Sequence, residues 1–224
     1  MNDFSMFDSW EFSDAGSEIS LFQKYLTTME GFLESQTQKH EESEKELIAS
    51  GQIKCDDESG PEANYDSHML YLLSSFEDML RKSFFVSLYS FFESVVLNEC
   101  RARKSSKENI FLDISDLAGQ NDIDKAKTYF TKVLQLDFPS STSEWGEIQN
   151  YKTLRNCVIH AQGRIDDMRA ESDQKKLRTL VANKKTLSLR EYQGEVIFKK
   201  GFCEEALVTI EKLLRSWLYP NNEK

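Results

Sequence analysis

SFFVSLYSFFESVV, residues 83–96, is the stretch that decides the fold. Leu88, Phe91, Phe92, Val95 and Val96 return every three or four residues, the spacing of one helical face. Phe84, Phe85 and Val86 widen the apolar surface beyond that face, and a helix apolar over most of its circumference is central in a bundle. Upstream, Leu72, Leu73, Phe76, Met79 and Leu80 extend the stripe, so the spacing predicts one helix over about 65–103. Only 3 prolines and 9 glycines punctuate the 224 residues. That scarcity favours long helices over a many-turned β architecture.

On either side of this helix the pattern stays helical. Leu21, Phe22, Tyr25, Leu26, Met29, Phe32 and Leu33 predict a first helix over 20–49. SGQIKCDDESGPEAN (50–64) reads as a loop. DIDKAKTYFTKVLQL (122–136) predicts a shorter amphipathic helix, capped by Asn121 or Asp122. A further helix opens at Ser143 and runs through Ile148, Tyr151, Leu154 and Val158 to Gln162, where Gly163 supplies a stop. Residues 166–184 are a polar stretch. TLSLREYQGEVIF (186–198) alternates and carries Gln193-Gly194, so it reads as a hairpin. A last helix over 203–219 ends at Pro220. The expectation is a mostly α chain, a helical bundle with a small β-hairpin before the last helix. Residues 19–224 form one domain behind an acidic arm, 1–18. The arm's Phe4, Phe7, Trp10 and Phe12 read either as packing on the body or as a docking segment for a partner.

The net charge of -10 is unevenly spread. Residues 1–66 hold 16 acidic and 4 basic side chains, residues 67–224 hold 22 and 24. The acidity belongs to the first third, so a polyanionic partner is permitted but would need a local site or two chains side by side. Cys55, Cys100, Cys157 and Cys203 stand far apart. A disulfide framework or zinc site needs closer grouping, so reduced thiols of a cytoplasmic protein are expected, with no metal or cofactor. The acidic start is no secretory signal, and no stretch approaches the ~20 apolar residues of a membrane span.

Chemistry concentrates in LRNCVIHAQG, residues 154–163. Leu154, Val158 and Ala161 continue the core stripe of the helix, and at ~100° per residue Asn156 and His160 share roughly the opposite face, flanked by Arg155. Cys157 and Ile159 border this polar pair, which points to a second buried surface, most simply a partner chain. In the last turn the helix carbonyls favour a protonated ring and Arg155 opposes it, a setting for an imidazole that exchanges protons. The plainer reading is a helix-terminal histidine and an arginine in a surface ion pair. Glu93, set among Phe91, Phe92 and Val95, either pairs with Arg155 or faces water. His40, His68 and Cys157 are not expected to act in catalysis.

The run LRNCVIHAQG resembles the R-x4-6-H motif of the HEPN superfamily, including the polar residue after the arginine, here Asn156. It stands near the end of a late helix, after a long aromatic-rich helix and before a hairpin and a final helix. The resemblance spans about residues 65–220 and implies a HEPN-type helical bundle. Many HEPN proteins are metal-independent ribonucleases of toxin–antitoxin and phage-defence systems, with an active site built across a homodimer. The resemblance implies that His160 is the general base or acid on a ribose 2′-hydroxyl, that Arg155 binds the scissile phosphate, and that Asn156 orients either group, with Glu93 as an addition. It further implies RNA as substrate and an antitoxin or defence protein as partner. Some HEPN domains are instead silent modules that bind nucleotide or RNA or scaffold a complex. Family toxins silenced by a nucleotidyltransferase carry a tyrosine two positions after the histidine. Gln162 stands there, which puts that regulation in doubt.

Overall fold

The computed structural model describes residues 10–11, 13–50, 61–107, 110–119, 121–190 and 194–220; within these ranges the side chains of 44, 48 and 61–70 are not described. Phe4, Phe7, Phe12, the loop residues 51–60 with Cys55, Gln193 and the His68 side chain therefore lie outside it. The order is α1 (Asp14–Ala49), α2 (Pro61–Ser105), α3 (Asp122–Thr128), α4 (Ser143–His160), α5 (Glu171–Asn183), β1 (Leu187–Arg190), β2 (Glu195–Phe198) and α6 (Phe202–Leu218). The chain is mostly helical, with a two-stranded antiparallel hairpin before the last helix.

The centre of the fold is the second half of α2. Phe84, Phe85, Leu88, Tyr89, Phe92, Val96 and Cys100 are all fully buried, and α1, α3, α4 and α6 pack around them. Phe85 meets the rings of Tyr151, Phe198 and Phe202 edge-on at 5.4–5.7 Å, an arrangement that adds to the burial of apolar area. The first half of the stripe differs from expectation. Leu72, Phe76 and Met79 are 37–55% exposed, because the described residues cover that side only in part, with Phe76 meeting Phe32 of α1 at 6.3 Å.

Helix α1 begins at Asp14, six residues earlier than its apolar spacing predicts. The Ser13 hydroxyl accepts from the Gly16 N–H at 2.9 Å and caps it. A Cβ at Gly16 would stand 2.0 Å from the Trp10 carbonyl oxygen, so only glycine fits. Trp10 is thereby folded onto the body, buried and edge-on to Tyr219 at 5.7 Å.

The helix expected over 122–136 breaks at Thr128. Asn121 caps its start, accepting from the Asp124 N–H, but residues 129–133 form a π turn and Gln135 has φ of 52°. The wider turn lets Tyr129, Phe130 and Leu134 all face inward, where Phe130 meets Phe138 and Trp217. The polar stretch 166–184 is a second correction, since it contains the 13-residue α5. Leu177, Leu180 and Val181, at i, i+3 and i+4, are its buried residues, too few for periodicity to stand out.

A buried ion pair links the layers. Arg81 Nε and Nη2 on α2 each donate at 2.8 Å to one carboxylate oxygen of Glu30 on α1. Both residues are 6% exposed. Arg81 Nη1 also reaches Glu77 at 3.1 Å.

Candidate functional site

Helix α4 carries the R-x4-H segment. The Thr142 hydroxyl caps it by accepting from the Trp145 N–H at 3.1 Å, and Ile148, Tyr151, Leu154 and Cys157 bury one face. At the other end Gln162 and Gly163 take φ of 53° and 80°. The N–H groups of Ala161 and Gly163 both donate to the Cys157 carbonyl at 3.0 Å, which closes the helix. A Cβ at Gly163 would also approach Lys82 Nζ to 3.0 Å, so that the lysine would have to give way. The turn is then sewn to β2 by Val196 N–H donating to the Gly163 carbonyl (2.9 Å) and Ile165 N–H to that of Gly194 (3.0 Å).

Cys157 does not face outward. It is fully buried in the chain's own core, where burial pushes its thiol up to about 11. The three described cysteines are all free and buried. Ile159, by contrast, is 41% exposed beside the polar pair.

Arg155 and Glu93 meet at the seam of α2 and α4, with Arg155 Nη2 3.9 Å from Glu93 Oε2 and both side chains about a quarter exposed. Burial raises the Glu93 carboxyl above its ordinary value, and Arg155 only partly offsets this. Arg155 Nη1 donates to Asn156 Oδ1 at 3.2 Å. Its Nε is buried without a hydrogen-bond partner among the described residues, as is the Tyr89 hydroxyl, which burial and the Glu93 charge push upward.

Asn156 and His160 open instead onto a cleft of about 510 Å³ between the end of α4 and the start of α5. Ala161, Met168 and Ala170 give it apolar wall, and Asp167, Arg169 and Asp173 give it charge. Of the four residues the sequence singles out, two line this cleft and two do not, and Asn156 joins the pairs. His160 is exposed. Arg169 and Asp173 sit in a stretch with no motif; only the folding of 171–183 into α5 brings them to His160.

A larger cleft, about 690 Å³, lies on the other side of the 161–164 turn, lined by Asp78, Lys82, Arg190 and Glu195 among others. Its charges satisfy one another: Lys82 pairs with Asp78 (2.6 Å) and Glu195 (3.0 Å), and Arg190 with Glu195 (3.2 Å). They pin the hairpin to α2. Among the described residues no group of three His, Cys, Asp or Glu could hold a metal ion, and no helix is long and apolar enough to cross a membrane. Comparison with protein-family models, with curated proteins and with solved structures finds no match.

Proposed function

We propose that this chain is a HEPN-type endoribonuclease of the cytoplasm that cuts RNA as a homodimer, in a toxin–antitoxin or phage-defence setting with an antitoxin or defence protein as partner. The observation that carries the reading is the joint placement of His160 and Asn156 on one open cleft, with Arg155 hydrogen-bonded to Asn156. Within one protomer Arg155 does not line that cleft. A two-fold arrangement in which the exposed Ile159 face meets its copy would bring guanidinium and imidazole to one phosphodiester.

In the proposed reaction His160 takes the proton of a ribose 2′-hydroxyl. The 2′-oxygen forms a bond to phosphorus as the bond to the 5′-oxygen breaks. The leaving oxygen receives a proton from the second copy's imidazole or from water, and the products are a 2′,3′-cyclic phosphate and a 5′-hydroxyl. Arg155 stabilises the charge that gathers on the phosphoryl oxygens. Glu93 holds Arg155, and Asn156 transmits that position towards His160. The step uses a proton carrier and a fixed cation of the chain itself.

Purified protein is incubated with mixed RNA in EDTA. Cleavage that survives chelation and disappears in both His160→Ala and Arg155→Ala, with folding retained, supports the proposal. Variants that cut as fast as the parent refute it. The two carboxylates in the cleft, Asp167 and Asp173, oppose a phosphodiester there and so favour a second reading, a silent module that scaffolds a complex or binds nucleotide or RNA away from them. A dimer without ribonuclease activity would support that reading instead.

A further inference from the structure

Two carboxylates beside an imidazole that works on a phosphodiester present an electrostatic difficulty, because they repel the substrate backbone. Their geometry resolves it. Asp167 turns partly away, reaching Arg164 at 3.7 Å with its side chain 57% exposed. Asp173 is partly buried in the cleft; its side chain forms no hydrogen bond or close ion pair among the described residues, and its charge acts on Lys176 one turn further along α5. Arg169, on the same wall, is likewise in no ion pair among them. The segment that bears Arg169 is held in place, since the Gln174 amide donates to the Met168 carbonyl at 2.7 Å and to the Asp166 carbonyl at 3.4 Å.

A cation and a carboxylate on one cleft, whose wall also carries the apolar Met168 and Ala170, offer contacts for the two ends of a nucleotide. We propose that the His160 cleft holds one nucleotide of the RNA, with Arg169 on its phosphate and the Asp173 carboxylate on the donor edge of its base, guanine in preference. This inference rests on the ribonuclease reading. Its volume of about 510 Å³ suits a ligand of that size. An ionised carboxylate only accepts hydrogen bonds. Guanine offers it two adjacent donors, N1–H and the N2 amino group, one for each oxygen. Adenine and cytosine offer an amino group, and uracil a single N–H between two carbonyls that repel the charge. Sequence choice thus comes from the carboxylate and general affinity from the arginine.

The test uses the full chain with His160→Ala to prevent cutting, and fluorescent RNA octamers of uridine with or without one central guanosine, read by anisotropy. Binding several-fold tighter to the guanosine octamer is expected. Asp173→Asn should bring the two octamers to roughly equal affinity. Arg169→Ala should weaken both by the same factor and lower the salt dependence by about one phosphate contact, with Arg169→Lys restoring part of it. Asp173→Asn that keeps the parent's preference, or Arg169→Ala that binds like the parent, overturns the inference. Cleavage by the parent chain keeps this apart from the ribonuclease reading. If RNA is cut in a His160-dependent way and the map of cut positions is identical in Asp173→Asn, only the present inference fails. If no His160-dependent cutting occurs, the ribonuclease reading itself fails.

Discussion

Replacing Arg81 with methionine removes the cation from a pair whose two members are each 6% exposed. Methionine roughly fills the aliphatic part of the vacated space, so the loss is chiefly electrostatic. Glu30 then keeps a buried carboxylate that has lost both of its 2.8 Å donors. Glu77 suffers less, since its side chain is 25% exposed and it still accepts from the Thr37 hydroxyl at 3.1 Å. Leaving one half of a buried pair uncompensated costs about 3–5 kcal/mol. For a chain of 224 residues, at roughly 2–4 °C per kcal/mol, the melting temperature should fall by about 6–20 °C. Circular dichroism at the helix band, followed through heating and through urea, reads both quantities. The double variant Arg81→Met/Glu30→Leu removes both members of this pair and should recover to within about 2 kcal/mol of the parent, because a hydrophobic pair of similar volume is often as stable as the ionic one. A single variant that melts within about 2 °C of the parent, or a double variant no better than the single, would show that water reaches this pair and that the reasoning is wrong.

Gly163→Ala places a side chain at φ of 80° and at 3.0 Å from Lys82 Nζ; it should cost about 1–2 kcal/mol, measured by urea unfolding. The Glu93 carboxyl is raised by burial, so it contributes stability below the ordinary glutamate value of 4.5 that is lost as pH rises through the folded-state value. Glu93→Gln removes that dependence, and its stability relative to the parent should therefore improve with increasing pH across the range just above 4.5, in urea titrations at stepped pH. Cys100 and Cys157, pushed up to about 12 and about 11 by burial, should resist iodoacetamide at pH 8 in the native protein and react once urea is added, as followed by peptide mass spectrometry.

What could be read from the sequence is what repeats locally. The second half of α2, the alternation of the hairpin, the Asn121 cap and the stop at Gly163 each have a signal within a few residues. Helix α5 was hidden because it buries only Leu177, Leu180 and Val181 within an otherwise polar segment. The exposed start of α2 was misread because periodicity says which residues share a face, not whether anything covers it. Cys157 shows the same limit: at the edge of the polar face by angle, it is fully buried against the chain's own core. Glu30 and Arg81 stand 51 residues apart, and no pattern links them before α1 and α2 are laid together. At the candidate site the motif placed Arg155 beside His160, whereas the three-dimensional arrangement turns it to Glu93 and gives the His160 cleft a different arginine, Arg169.

The stitching of residues 163–165 onto β2 has a consequence for length variation. His160 inherits its coordinates from the edge of a sheet, so a residue inserted or deleted between 161 and 165 would slide every backbone partner by one step and rotate the imidazole out of its cleft.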